Sequence, residues 1–373
     1  MEYSYKFRLY PNTEQINLIE RTFGCCRYVY NHYLAKQQAV YQTSRKAMNY
    51  YDYCKDLTLL KKQDDTSWLQ EVDATALQAS AQDLDRAFQN FFHRVKKGGK
   101  PGYPKFKSKR SHKHSYKSKC VGNTIKVFNN TIQLPKLGRV KCCISKKVDG
   151  HILSATVSRS ASGKYYVSLC CRSDCEMPKL PATGSVVGLD VGIKFFAVSS
   201  DGVEYTIPKY LRQSENKLAR LQRQLSRKTK GSANWDKARI KVARLHEHIA
   251  NQRGDMQQKL STELIRQYDV ICIEDLAPSK MVKNHKLAKA IADASWGEFR
   301  RQLTYKAEWY GRKLIIIDRF YASSQTCNHC GKKWPRVKDL HVRQWVCPNC
   351  SAVLDRDTNA AINILHEGLR QIA

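Results

Sequence analysis

Residues 185–200 read SVVGLDVGIKFFAVSS. Val186, Val187 and Leu189 form a short apolar run, Gly192 marks a turn, and FFAVS resumes the run, which predicts a buried strand followed by a second one. Asp190 stands inside the first strand, flanked by Gly188 and Gly192, where Val and Leu surroundings ordinarily take an apolar side chain. A charge buried there needs a partner. Two further apolar runs, VICI at 270–273 and LIII at 314–317, follow with helical sequence between them. Strands separated by helices predict an α/β part whose strands are buried and partly parallel.

Between the first and second of these runs, Leu218, Leu221 and Leu225 make one helical stripe and Ile240, Ala243 and Ile249 another, split by the breaker KTKGSAN at 228–234. An antiparallel helical hairpin is expected. From Lys209 to Arg253 it carries thirteen Lys or Arg against three acids, an imbalance that favours phosphate contact over an ordinary solvated face.

Toward the N-terminus, Tyr3, Tyr5, Phe7 and Leu9 alternate with Ser4, Lys6 and Arg8, the period of a half-buried strand that Pro11 ends. Asn12 with Gln15 reads as a capping box, and Ile16, Ile19 and Phe23 follow at helical spacing. Helical sequence runs to about His93, with Leu77, Ala81, Leu84, Phe88 and Phe91 as a core stripe. Arg94 to Lys119 holds eleven Lys or Arg and no acid, interleaved with Tyr103, Phe106 and Tyr116. Charge runs of this kind are often only solvated loops. Rings among cations favour the other reading, a nucleic-acid arm in which charges meet phosphates and ring faces meet bases, with Lys105, Lys107 and Tyr116 as contacts. Short alternating stretches, TIKVF, RVKCCI, ILSATVSR and YYVSLCC, then predict a small β-barrel that the strand at 3–9 joins.

Composition agrees with a polyanionic partner. The 373 residues hold 65 Lys and Arg against 33 Asp and Glu, a formal net charge of +32, with 42% hydrophobic residues. That hydrophobic share supports two or three cores and excludes global disorder, while the charge points to nucleic acid. The longest aliphatic run is Leu314 to Ile317, far short of a membrane span, and the opening residues lack a signal-peptide pattern, so a cytosolic protein with no membrane partner is expected. Ten of the fourteen cysteines (Cys25, Cys26, Cys54, Cys120, Cys142, Cys143, Cys170, Cys171, Cys175 and Cys272) lack ligand spacing and read as reduced packing residues.

The other four are Cys327-x-x-Cys330 and Cys347-x-x-Cys350, the spacing of a four-thiolate zinc site. His329 and His341 are rival ligands, but four thiolates already close a tetrahedron, so the zinc is structural and supplies folding energy. Acids recur at chemically expensive places. Glu274 and Asp275 end VICIED at the C-terminal edge of a strand, and Asp355 and Asp357 open the last helix, DRDTNAAINI. Taken singly, each has a bland reading as a turn residue, a solvated strand end or an N-cap. Together with Asp190 they converge on one sheet edge, where mutual repulsion raises pKa values unless cations intervene. Two magnesium ions about 3.5–4 Å apart suit such a cluster, activating water and stabilising the leaving oxygen of a phosphodiester.

The stretches YKFRLYPNTEQ, FGCCRYVYN, KPGYPKFKSKR, GLDVGIKFFAVSSDG, VICIEDL, CNHCG, CPNC and DRDTNAAINI, in this order over nearly the whole chain, closely resemble the TnpB family of transposon-encoded RNA-guided DNA nucleases, relatives of type V CRISPR effectors. The resemblance implies a multidomain α/β protein with all-β and helical parts. Residues 1–10 and 101–182 correspond to an OB-like β-barrel wedge domain and 11–100 to a helical recognition domain. Residues 183–325 and 353–373 correspond to a RuvC-like nuclease of ribonuclease H fold, and 326–352 to an inserted zinc finger. It also implies a catalytic, magnesium-holding triad of Asp190, Glu274 and Asp357, with Asp355 as the cap. The implied partners are a guide RNA from the protein's own locus and target double-stranded DNA, in a monomeric, nucleoid-associated ribonucleoprotein of a prokaryotic cytoplasm. Gln78 and Asn123 sit in the segments expected to read a short target-adjacent motif and have base-edge chemistry. A guided DNA binder without cleavage, or a transposition accessory factor, are the alternatives.

Overall fold

The computed structural model describes residues 1–110, 114–173, 179–206, 208–339 and 341–372. Cys175 lies outside the described residues. The chain divides into two units, Met1–Cys175 and Glu176–Ala373.

In the first unit β1 (Glu2–Tyr10) leads into α1 (Thr13–Ser44), α2 (Tyr50–Leu60) and α3 (Ala74–Lys96). The capping box at Asn12 and Gln15 forms as read, with Asn12 Oδ1 accepting from Gln15 N at 2.8 Å and Gln15 Oε1 accepting from Asn12 N at 3.1 Å. Strands β2 (His114–Lys119), β3 (Lys126–Val127), β4 (Thr131–Leu134), β5 (Gly138–Cys143), β6 (His151–Arg159) and β7 (Tyr165–Arg172) follow. They pair with β1 in the order β2-β6-β7-β1-β5-β4-β3, every contact antiparallel. The N-terminal strand therefore joins this sheet at its middle. Among the described residues β2 and β3 do not pair with each other, so hydrogen bonding gives an open sheet rather than the closed barrel expected; β3 is only two residues long and offers too little edge to close it.

The second unit holds β8 (Val186–Asp190), β9 (Ala197–Ser199), β10 (Glu204–Tyr205), α4 (Tyr210–Gln213), α5 (Glu215–Ser226), α6 (Ala233–Gln267), β11 (Val270–Glu274), α7 (Pro278–Met281), α8 (His285–Ala294), α9 (Trp296–Tyr310) and β12 (Lys313–Ile317). The hairpin β13 (Gln344–Val346) and β14 (Val353–Asp355) precedes the last helix, α10 (Arg356–Arg370). The helical hairpin breaks where the sequence places it, α6 starting behind an N-cap in which Ser232 Oγ accepts from Trp235 N at 3.1 Å.

The five-stranded sheet runs β10-β9-β8-β11-β12, with β8, β11 and β12 mutually parallel. Strand alternation sorts its side chains onto two layers. Val187, Leu189, Ile271 and Ile273 face α6 and α9, meeting Leu260, Leu264, Phe299 and Leu303. Cys272, Ile315 and Ile317 face α10 and pack on Ile364. Gly188 lies on the α10 side, and a Cβ there would collide with the Ala361 carbonyl and the Leu365 backbone. Gly368 of α10 rests in the same way against Cys272. The glycine before Asp190 is thus what lets the last helix lie on the strand. Gly188→Ala should destabilise the protein by about 1–3 kcal/mol as the helix is pushed off, read as a lower urea midpoint, whereas an unchanged midpoint would show that α10 yields freely.

Candidate metal centre and nucleic-acid interface

Parallel register assembles the acids. Leu189 pairs with Ile273, which puts the next residues, Asp190 and Glu274, side by side at the C-terminal edge of β8 and β11 and on the face that α10 covers. Asp357 sits in the first turn of α10, whose N-cap is Asp355: its Oδ1 accepts from Asp357 N at 3.0 Å and Thr358 N at 2.9 Å. The capping role therefore belongs to Asp355, and Asp357 is left to face the strands. Burial, and then the charges of Glu274 and Asp357, push the Asp190 carboxyl up to about 8, while Arg356 and Arg343 oppose the rise. Burial also raises Glu274, partly offset by the hydroxyl of Ser323, which donates to its Oε1. These are acids short of positive charge.

Asp275 differs from its neighbour. Arg300 and Arg319 both pair with it and hold its carboxyl below the usual range. Its charge is spent within the protein, whereas among the described residues Glu274 is met by the neutral Ser323 hydroxyl and Asp357 by Arg343 Nη1 at 3.3 Å. Asp190 and Glu274 thus share one strand edge with Asp357 near enough for their charges to be felt, but among the described residues these three acids are not drawn together into a metal-ligand group.

The four cysteines also come together. All four sulfurs lie within 4.8 Å of one another, the one such group among the described residues. Cys327 Sγ is 3.7 Å from Cys350 Sγ and Cys330 Sγ is 3.6 Å from Cys347 Sγ. A tetrahedron with zinc–sulfur bonds of about 2.3 Å has edges of about 3.8 Å, so this cluster is consistent with a structural zinc. Knuckle turns build it: Gly331 N donates to Cys327 O and Ser351 N to Cys347 O, both at 2.9 Å, with Gly331 at φ +70°. His341 instead points its ring to Asp339 at 3.0 Å and is outside the group. Asn359 and Asn363 of α10 donate to the Thr326 carbonyl at 2.8 and 2.6 Å, fastening the helix that carries Asp357 to the start of the finger.

In the first unit, Lys105 is exposed on the basic arm. Lys107 is exposed as well but is tied down by partners. Asn31 grips its backbone N and O at 2.8 and 2.9 Å, and its Nζ lies 3.9 Å from the Tyr30 ring centroid, where desolvation lowers its pKa. Tyr116 requires a correction. At 6% exposure it is a core residue of β2 whose ring packs on Phe23, centroids 5.8 Å apart, so it offers no free face to a base. Alternation decides this, because Tyr116 and Ser118 point inward while Lys117 points out. Gln78 is half-buried on α3, and Asn123 is exposed in a turn at φ +58°.

The chain is 39% identical over 98% of its length to a Streptomyces pristinaespiralis protein, of which it covers 89%, described as "Putative RNA-guided DNA endonuclease". It belongs to the TnpB family, also known as IS605 OrfB. A second TnpB relative, Escherichia coli InsQ, carries the same description and is 35% identical over 98% of the chain and 92% of its own length. Family profiles described as "Probable transposase" and "Cas12f1-like, TNB domain" match residues 168–285 and 296–364. A "Helix-turn-helix domain" profile matches residues 1–46, which here form β1 and the single long helix α1. A solved Cas12f1 in complex with guide RNA and target DNA shares the TnpB chain's fold, at a TM-score of 0.60 over 98% of both chains and 11% identity.

Several residues around the TnpB acids carry no sequence signal of their own. Ser323 reaches Glu274 across 49 residues of chain, and Arg343 comes from the finger. Asn359, within DRDTNAAINI, also accepts from Asn328 N at 2.9 Å, so this stretch is a fastening between helix and finger.

Proposed function

We propose that this TnpB-family protein is an RNA-guided, magnesium-dependent DNA endonuclease whose second unit is a RuvC-like nuclease. The observation that carries it is the placement of Asp190 and Glu274 in register at one parallel-strand edge, beneath Asp357 on the first turn of α10. The raised Asp190 supports it, since carboxylates that repel one another are stabilised by bound cations. Asp190, Glu274 and Asp357 are the residues that would hold magnesium, which when bound would supply an activated water and charge stabilisation at the leaving oxygen. The chain's own part is positional. The β8–β11 register fixes two carboxylates, Asp355 fixes the helix turn that presents the third, and Ser323 orients Glu274. The four-cysteine site is closed and structural.

Residues 1–10 and 101–182 act as the wedge and 11–100 as the recognition domain, Gln78 and Asn123 reading the short DNA motif. Guide pairing then supplies the remaining specificity, so the protein needs only a basic surface for the heteroduplex. A cleft beside the Gly192 turn is lined by Lys194, Lys209, Arg212 and Lys289 and also by Glu215, which pairs with Lys289, and Asp293, so its lining is net positive. On the basic arm, Lys105→Ala should lower the salt dependence of nucleic-acid binding by about 0.7–0.9 in the log–log slope, the share of one phosphate. An unchanged slope would remove Lys105 from the interface.

The deciding experiment expresses the protein with RNA from its own locus and incubates the complex with magnesium and a plasmid library carrying the guide target beside randomised bases. Double-strand breaks next to one short motif support the reading. Bound RNA with a protected but unbroken target would replace it with a guided binder.

A further inference from the structure

Phe320 is 86% exposed, the most exposed large hydrophobic side chain among the described residues. It lies just past β12, whose last residue, Ile317, pairs with Glu274, so it leaves the sheet at the edge that carries Glu274 and Asp190. A lone exposed ring is ordinary on a protein surface. This one is held in place.

Its backbone N donates to Asp318 Oδ1 at 2.7 Å, closing a tight turn. The preceding residue, Arg319, donates Nε to the Asp275 carbonyl at 2.9 Å and pairs with the Asp275 carboxylate, which Arg300 of α9 also holds. The following residue, Tyr321, turns inward onto the Ile317 and Ile364 cluster. Three residues beyond Phe320, Ser323 donates to Glu274. A turn anchored on both sides, with one ring inside and one outside, thus spans from the exposed phenyl to a carboxylate of the acid cluster.

We propose that Phe320 is a base-stacking platform that positions the DNA strand to be cut, taking the face of an unpaired base while its phosphate lies at the acids. The inference rests on the nuclease reading of the site. Aromatic faces hold single-stranded bases without sequence preference, as a guided nuclease requires of a strand whose sequence it does not itself read. Arg319 and Arg300 meet on Asp275, two cations against one carboxylate, which leaves a net positive charge at the base of the turn for a backbone phosphate. Phe320 is a positioning residue, since it carries no group that takes part in hydrolysis.

The test compares wild type, Phe320→Ala, Phe320→Leu and Phe320→Trp as complexes with guide RNA, measuring target binding, single-turnover cleavage rate and the positions of the cut ends. Losing one base stack should slow cleavage about ten-fold in Phe320→Ala. Guided binding should stay unchanged and the cuts should spread over neighbouring positions. Phe320→Trp should cut as wild type does, and Phe320→Leu, with bulk but no ring face, should behave like Phe320→Ala. Wild-type rate and cut positions in Phe320→Ala, or full function in Phe320→Leu, would overturn the stacking role alone. Absence of guided breaks by wild type would overturn the nuclease reading and this inference with it.

Discussion

Asp190→Ala should abolish guided cleavage, by at least about a thousand-fold in single-turnover rate, while guide and target binding stay intact. The magnitude follows from losing one carboxylate of the proposed metal-holding set, worth several kcal/mol of charge stabilisation in the transition state, at about 1.4 kcal/mol for each factor of ten. The same position should show the opposite effect on stability. The Asp190 carboxyl is raised to about 8 in the folded chain against about 4 in the unfolded one, so the unfolded state gives up this proton first. In metal-free protein, stability from this group should fall as pH rises from about 4 to about 8, and Asp190→Asn should remove that fall and raise the urea midpoint at pH 8. Magnesium should stabilise wild type but not Asp190→Asn. Rapid cleavage by Asp190→Ala, or equal magnesium stabilisation of wild type and Asp190→Asn, would show that the edge acids are not a metal centre, and a pH–stability curve identical to that of Asp190→Asn would show that the fold does not raise this carboxyl.

Zinc removal is the second large effect. Among the described residues the finger buries Val337, Trp345 and Leu354 besides Cys327 and Cys347, with Trp334, Val342 and Ala352 partly buried against them, too few apolar side chains to offset the entropy of ordering the segment. Structural zinc supplies on the order of 10–16 kcal/mol in small fingers. One zinc per chain is expected, and stripping it with a zinc-selective chelator should melt the finger. The damage should travel, because β14 pairs with β13 and runs directly into Asp355 and α10. Hydrogen exchange should therefore rise at the Asp357 and Thr358 amides that Asp355 caps, and cleavage should fall more than about a hundred-fold with magnesium replenished. Exchange in residues 1–110 should not change. Metal-free protein that keeps those amides protected and cuts normally would remove zinc from the structure of the site.

The relation between sequence and fold varies along the chain with the range of the interactions involved. Tyr3 to Leu9, the Asn12–Gln15 box and the break at KTKGSAN were legible because alternation, caps and breakers act within a few residues, and the structure repeats them. Among the described residues hydrogen bonding leaves the barrel open, since alternation identifies strands but says nothing of how much edge the last one offers. Tyr116 was misplaced for a related reason: it stands in a basic arm by composition, yet strand alternation turns it to the core.

At the site, sequence alone determined which residue types lie at strand ends and at the helix start, and which cysteines share ligand spacing. Only the tertiary structure chose between neighbours. Glu274 and Asp275 are equivalent acids in VICIED until Arg300 and Arg319 claim one of them, and Phe320 and Tyr321 are adjacent rings until the Ile317 and Ile364 cluster takes the second. Ser323 and Arg343 gained their roles from packing. The physical reason is common to all of these: periodicity and capping are set by covalent neighbours, whereas a charge or a ring is assigned its role by whichever partner the fold brings within a few ångströms.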